Sequence, residues 1–428
     1  MKIHGWVKTY NSSNLVLRIV IAIFWGAIFG LLLPSQKWIG ELGVIFVSAL
    51  KAVAPILVFI LIVCSLSLGK SHLDRRFAKV ILLYLVSTTL ASVVAVLAGT
   101  FCPQKLYLVN AVETGAPPTD ILDVLHNLLV RAVSNPLAAI VDANYIGILV
   151  WGMCLGFALK KMSSDTTFAV LRDLANAVSL VVRWIINLAP FGIMGIMFTS
   201  VSTNGIEIFK TYGSLILLLV GTMLFMAFVV TPLIVGVVLR RDPFPLILRC
   251  YKSSGVTAFF MRSSAANIPV NMALCKKLEL DRKLYSVSIP LGATINMSGA
   301  AITIAIMTLA AAHTLGIQVS FTSALVVCLF ATLSACGAGG VTGGSLLLIP
   351  LACAPLGISS DIAMQVVAVG LMISVVQDSL ETALNSSTDV IFTATAEYSS
   401  WKKQGKELPK EIFREHTQDS FAPKVDQE

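Results

Sequence analysis

"VVQDSLETALNSSTDVIF", residues 375–392, sets Asp378, Glu381, Asn385 and Asp389 among Val, Leu, Ile and Ala. At about 100° per residue, Asp378, Glu381, Thr382, Asn385 and Asp389 fall within roughly a 100° arc of one helix face, with Val376, Leu380, Ala383 and Leu384 on the other. Three carboxylates on one face are ordinary in a helix bathed by water. The rest of the chain says that this helix is not.

Of the 428 residues, 56% are hydrophobic and 13% charged, and the mean hydropathy is +0.85. Soluble domains carry about 25% charged residues. From 284 to 360 there is no Lys, Arg, Asp or Glu at all. No water-soluble fold needs such a run, and the alternating strands of a membrane barrel would not produce it. The chain reads as an all-α polytopic membrane protein. A carboxylate in the middle of such a helix costs several kcal/mol, so the stripe must face a partner, a cavity or a transport path. A structural salt bridge of Asp378 and Glu381 with Arg262 accounts for part of the stripe and leaves Asp389 unexplained.

The formal net charge of +8 reads as the basic flanks of membrane helices, not as a nucleic-acid surface. The eight Cys form no disulfide or zinc pattern. Apolar runs near 15–34, 43–67, 78–101, 137–159, 168–200, 212–239, 285–311 and 362–395 predict eight spans. The run at 15–34 lacks a clean small-residue cleavage site and is expected to be a retained first helix. Segments 168–200 and 362–395 are too long for one simple crossing. Lys2 and Lys8, then Lys70, Arg75, Arg76 and Lys79, then Lys160 and Lys161, then Arg240 and Arg241 mark alternate loops, which puts the N-terminus in the cytoplasm.

Two segments break the count. Residues 243–275 have basic flanks on both sides and "MRSSAANIP" (261–269) inside; residues 320–357 have neutral flanks and "SACGAGGVTGGS" (334–345) inside. Each must enter and leave on one side, as a re-entrant hairpin, and each is followed by a span. A hairpin and helix repeated from opposite faces is the signature of inverted repeats. The run of Gly in the second tip is incompatible with a stable helix. "GATINMSGA" (292–300) puts Asn296 mid-span between Gly292 and Gly299. Asn there serves either as glue between helices or, where the helix unwinds, as part of a set of hard oxygen ligands suited to a small alkali cation.

These residues resemble the dicarboxylate/amino acid:cation symporter family, which has the glutamate-transporter fold. The family's first tip is Ser-rich and ends in Leu-Pro; here it reads "RSSAANIP" (262–269). Its unwound N-M-D-G-T reads "NMSGA" (296–300), and its G-V-P-G tip reads "GVTGG" (340–344). Its last-helix pattern D-x-x-R-T-x-x-N-x-x-x-D is carried by Asp378, Thr382, Asn385 and Asp389, with Glu381 in place of the Arg. The likeness covers essentially the whole chain and is most specific over 255–392.

The resemblance implies sodium-coupled symport by an elevator-type homotrimer in the bacterial inner membrane, with both termini cytoplasmic. Scaffold helices would lie in 1–77 and 102–200, the transport unit in 78–101 and 201–396, and a loosely ordered cytoplasmic tail in 397–428. It implies that Asp378 takes the substrate's α-ammonium, and that Thr382, Asn385 and the tip around Ser263 and Ser264 hold its α-carboxylate. Val341 and Ser345 of the second tip would complete that pocket. Two acids one turn apart cannot both be ionised cheaply, so either Glu381 is partly protonated or, the reading favoured here, Arg262 neutralises both Asp378 and Glu381. Asp389, Asn385, Gly292 and Asn296 would hold one sodium; Thr294, Met297, Ala335, Cys336 and Ala338 would hold another. Glu381 in place of an Arg that grips acidic side chains implies a small neutral substrate, serine or threonine, with another neutral amino acid or an organic acid as the alternative. Ser298 in place of an Asp that ligates an additional sodium implies coupling to fewer sodium ions than in acidic-substrate members, and Thr342 in place of a Pro a different second tip. An intramembrane protease is disfavoured, since the five His are expected in loops or tails and Asp378 and Asp389 share one helix. An ion channel stays open as an alternative, and saturable uptake would separate it from a carrier.

Overall fold

The computed structural model describes residues 15–67, 75–108, 126, 129–162, 164–205, 207–338, 343–406 and 408–409. Among these residues the regular elements are all helical. Among the described residues, six helical stretches are long and apolar enough to cross a membrane, or seven if one bent pair counts as a single span.

Helices α1 (Leu15–Leu32), α2 (Trp38–Ser67) and α3 (Arg75–Phe101) come first. The described apolar part of the expected first span, α1, is Leu17–Leu32. The apolar run 137–159 is two helices, α4 (Pro136–Val141) and α5 (Tyr145–Met162). The break is local chemistry. Ala143 takes a positive φ of 50°, and the Asn144 amide donates to Arg131 O at 2.9 Å and Ser134 Oγ at 2.8 Å. The overlong run 168–200 likewise splits into α6 (Asp165–Asn187) and α7 (Ala189–Asn204), bent by 50°. Pro190 lies just past the bend, where its ring disfavours helical geometry in the residue before it.

The sixth expected span is continuous through α8 (Glu207–Phe225), a π-helical turn over Met226–Val230 and α9 (Thr231–Leu239). Pro232 cannot donate to the turn before it, and the wider turn absorbs that lost bond. The first hairpin is α10 (Phe244–Cys250), a π turn (Tyr251–Gly255) and α11 (Val256–Met261), then α12 (Ser264–Lys277). Then come α13 (Arg282–Ile295) and α14 (Ser298–Thr314). The second hairpin is α15 (Phe321–Ala335) and a returning limb with α16 (Ile349–Cys353) inside 346–356. In each hairpin the two limbs pack on one another.

Helices α1, α2, α5, α6 and α7 pack mainly together and turn Phe24, Trp25, Val44 and Ile45 outward. The hairpins, α3, α8 and α9 gather around α13, α14 and α17 (Ser360–Lys403). In α14 every residue from Ser298 to Ala312 is buried. Helix α17 has 44 residues, about 66 Å at 1.5 Å each.

That length corrects the boundary drawn at 396/397. The helix continues to Lys403 with Tyr398, Ser399 and Trp401 buried, so 397–403 are docked and not loosely ordered. Glu397 ties this end down. It accepts from Asp281 N at 3.0 Å and Trp401 Nε1 at 3.3 Å, and pairs with Arg76 at 3.4 Å. Residues 411–428 lie outside the described residues.

Candidate functional site

The stripe on α17 is buried along its whole length: Asp378, Glu381, Thr382 and Asn385 are at most 5% exposed, and Asp389 is fully enclosed. Three breaks in helix geometry converge on it.

The first is the tip of the first hairpin. Arg262 ends α11 in a left-handed conformation (φ 51°), and Ser263 caps α12 by accepting from Ala266 N. The turn aims the guanidinium at α17. Arg262 Nε donates to Asp378 Oδ2 at 2.8 Å, and Nη2 donates to Ser374 O at 3.1 Å. Behind the tip sits a lattice of fully buried amides. Asn267 Nδ2 donates to Ser386 Oγ at 2.8 Å, Asn271 Nδ2 donates to Ser386 O at 3.0 Å, and Ser254 Oγ donates to Asn271 Oδ1. These bonds join both limbs of the hairpin to α17.

The second break is the tip of the second hairpin. Gly343 N–H donates to Asp378 Oδ1 at 3.3 Å, and Ser345 Oγ donates to Glu381 Oε2 at 2.9 Å. Asp378 therefore meets both tips. Val341 and Thr342 lie outside the described residues.

The third break is Asn296–Met297, where α13 stops and α14 starts (φ −94°, ψ 77° and φ −121°, ψ 53°). Asn296 Nδ2 donates to Thr388 Oγ1 at 2.8 Å and to Asp389 Oδ1 at 2.9 Å. Gly299 N–H donates to Asn385 Oδ1 at 2.7 Å. The flanking glycines are needed for this approach. A Cβ on Gly292 would collide with Asp389 Oδ1 and lie 2.8 Å from Tyr84 Oη; one on Gly299 would lie 2.9 Å from the Glu381 backbone.

Two acceptor atoms at this break, Asp389 Oδ2 and Asn296 Oδ1, are buried with no hydrogen-bond partner among the described residues. A buried acceptor left unpaired is unfavourable by about 1–3 kcal/mol, more for a charged one. Two such oxygens at one helix break fit a small hard cation.

The expected residues divide into those the structure joins and those it does not. Arg262, Ser345, Asp378 and Glu381 form one cluster; Asn296, Asn385 and Asp389 form a second, with Gly292 against Asp389. Arg262 was expected to serve both acids. Its ion pair is with Asp378, while Glu381 takes its bonds from Thr303 Oγ1 at 2.8 Å, Ser345 Oγ and Gln377 Nε2. The Thr382 hydroxyl donates back to Asp378 O at 2.7 Å, and the Thr294 hydroxyl back to Leu291 O at 2.7 Å. The carbonyls of Met297 and Ala335 accept from Ala301 N and Ala338 N. The Cys336 thiol meets Ile295 O at 3.6 Å, so the end of α15 touches the end of α13. Ser298 shares a hydrogen bond with Ser87 at 2.9 Å.

Sequence reasoning passed over Gln377, Thr303 and Tyr84. Gln377 was visible one turn before Glu381. Thr303 and Tyr84 stand as single polar groups in apolar runs, and nothing in one sequence shows which way they face. Tyr84 Oη lies 3.2 Å from Ser288 O, Asp389 O and Thr393 Oγ1.

Residues 15–399 match the sodium:dicarboxylate symporter family. A protein named serine/threonine transporter SstT from Bifidobacterium adolescentis is 56% identical over 407 residues, 95% of each chain. Proteins of the same name from Streptococcus agalactiae and Streptococcus thermophilus are 52% and 51% identical, each over 93% of this chain and 99% of their own. With that match running almost end to end over a buried ionisable stripe, two hairpins and a broken helix, the chain belongs to the sodium:dicarboxylate symporter family, whose members are membrane carriers and not enzymes.

Proposed function

We propose that this chain is a sodium-coupled symporter that carries L-serine and L-threonine into the cell. The names of its relatives supply the substrate pair. The observation that carries the reading is Glu381, a buried carboxylate whose donors are neutral: two hydroxyls and an amide. An acidic side chain brought beside it would meet a second acid held only by neutral donors; a small neutral one would not.

In this reading Asp378 Oδ1 takes the α-ammonium, since the bond from Gly343 is long and belongs to the second tip. Thr382, Asn385 and the start of α12 around Ser263 and Ser264 hold the α-carboxylate, as helix N-termini do. Val341 and Ser345 close from the second hairpin. Asp389, Asn385 and the carbonyls of Gly292 and Asn296 would hold one sodium; Thr294, Met297, Ala335, Cys336 and Ala338 would hold a second. A bound sodium supplies the positive charge that a buried Asp389 carboxylate lacks.

The architecture that goes with this reading has eight spans, two re-entrant hairpins and inverted repeats, assembled as a homotrimer in the inner membrane with both termini cytoplasmic. Residues 1–77 and 102–200 form the scaffold, and 78–101 with 201–403 the moving unit of an elevator. The test is uptake of radiolabelled serine into proteoliposomes under an imposed sodium gradient, with potassium and proton gradients as controls. Uptake driven only by sodium is expected. Equal uptake without sodium, or no saturation with serine, would overturn the reading and favour a channel.

A further inference from the structure

Gln377 and Thr303 lie outside every motif that carries the family resemblance, yet both close on Glu381. Gln377 Nε2 donates to Glu381 Oε2 and, at 2.8 Å, to Thr303 Oγ1. Thr303 Oγ1 passes its own hydrogen to the same Oε2 at 2.8 Å, and Ser345 Oγ adds a bond at 2.9 Å. The hydrogens balance: the amide has two to give and each hydroxyl one. Helix α17, helix α14 and the second hairpin thus aim a single carboxylate.

All three bonds end on Oε2, and among the described residues none is given to Oε1. Meanwhile the carbonyl oxygen of Gln377 is buried without a partner among the described residues. Leu or Met at 377 would avoid that unpaired acceptor. The feature that sets Gln apart from them here is its N–H donors, and these go to Thr303 and Glu381.

We propose that Gln377 and Thr303 are positioning residues that hold the Glu381 carboxylate by Oε2, so that its Oε1 accepts the side-chain hydroxyl of the transported amino acid. This rests on the serine and threonine reading above and deepens it. Glu381 stands about 4.5 Å along the axis from Asp378, three residues at 1.5 Å each. A β-hydroxyl lies three bonds from the α-nitrogen, so an amino acid anchored by its ammonium on Asp378 reaches the next turn with that hydroxyl. Alanine reaches the same place with a methyl group and brings no donor. A site built to hydrogen-bond a substrate hydroxyl rejects the analogue lacking it far more strongly than a greasy pocket rejects a missing methylene.

The first test needs no variant: competition of serine, alanine and O-methylserine against labelled serine in wild-type proteoliposomes. Alanine and O-methylserine should bind about tenfold or more weakly than serine. In Thr303→Val and Gln377→Met the ratio of serine to alanine kcat/KM should fall about tenfold, through a higher KM for serine, with the alanine KM little changed. Thr303→Ser, which keeps the hydroxyl, should restore the ratio. A merely structural role would move both substrates together. Alanine competing as well as serine in the wild type, or an unmoved ratio in either variant that folds and transports, would overturn this inference and leave the proposed function standing. Absence of sodium-driven serine uptake in the wild type would remove both.

Discussion

Among the described residues, the first hairpin reaches the last helix through a guanidinium and a set of buried amides, and the second through a peptide N–H and one hydroxyl. Behind the first tip, Ser254, Asn267 and Asn271 are all fully buried and bonded to one another or to Ser386. Behind the second tip, 346–353 is fully buried too, but by Leu, Ile, Pro, Ala and Cys. Directional bonds weaken steeply when their partners shift. Apolar packing has no such angular demand. The comparison teaches that two hairpins of one chain can be held in different ways: one is riveted by directional bonds and the other is seated by apolar packing.

The largest expected effect comes at the one residue that both tips share. Asp378→Asn should lower serine transport by about 100-fold or more, because truncating one partner of a buried charge pair strands the other. Calorimetry with serine checks it; unchanged binding would make Asp378 a structural partner of Arg262 only. Next is Glu381→Arg, which sets a second guanidinium opposite Ser345. Serine transport should be lost, and aspartate should begin to compete weakly, more so when Arg262 is also replaced by Ser. Competition of unlabelled aspartate against labelled serine decides this, and unchanged selectivity would place Glu381 outside the pocket.

Asp389 lies about 16.5 Å further along the helix than Asp378, beyond both tips. Asp389→Asn should raise the half-saturating sodium concentration about tenfold or more, the equivalent of roughly 1.4 kcal/mol, without loosening either hairpin. Sodium titration of uptake and of thermal unfolding gives both readings. The comparison itself is sharpened by a pair of variants. Asn271→Leu should destabilise the protein by about 2 kcal/mol, because it removes the acceptor of the Ser254 hydroxyl and the donor to Ser386 O, whereas Ser345→Ala should change stability by about 0.5 kcal/mol, since Glu381 keeps two other donors. Equal shifts in melting temperature would break the contrast between riveted and seated hairpins.

The smallest effect lies at the foot of the first hairpin. Asp281 accepts from Lys283 N–H and from Arg76, and these hold its carboxyl below the usual Asp range. A depressed pKa gives stability that is present above the unfolded value of about 3.9 and lost as pH falls through the folded one. Asp281→Asn should therefore leave the pH dependence of unfolding flat between about pH 5 and 8, and alter it only below about pH 4.

Much of this was legible in the sequence because membrane burial makes polarity conspicuous. The stripe at 378–389, the break at Asn296 and both hairpin tips stood out as polar or Gly-rich residues in apolar runs. Span boundaries read less well where a side chain rather than hydropathy decides. Asn144 and Pro190 each cut an apolar run that composition alone joins, and Glu397 holds a polar segment that composition alone would release. The partners of Glu381 were misassigned to Arg262 because charge pairs are easy to imagine and hydroxyl pairs are not. Thr303 reaches it from another helix 78 residues away in sequence, a neighbourhood that only the packing of α14 on α17 creates.

Helix α17 is also a ruler. Its unbroken α-helical hydrogen bonding runs from Ser360 to Lys403, so the separation between Asp378 and Asp389 is fixed by eleven residues of rise. Neither end can feel the other by stretching or shortening the rod. Any message between the proposed amino-acid end and the proposed ion end must travel sideways, through the pieces that lie against both. Those are Asn296, whose amide touches Asp389 and the Asn385 carbonyl, and the second hairpin, which touches Ile295 at one point and Asp378 and Glu381 at others. In such a machine the stiff part keeps the distance and the broken helix beside it does the talking.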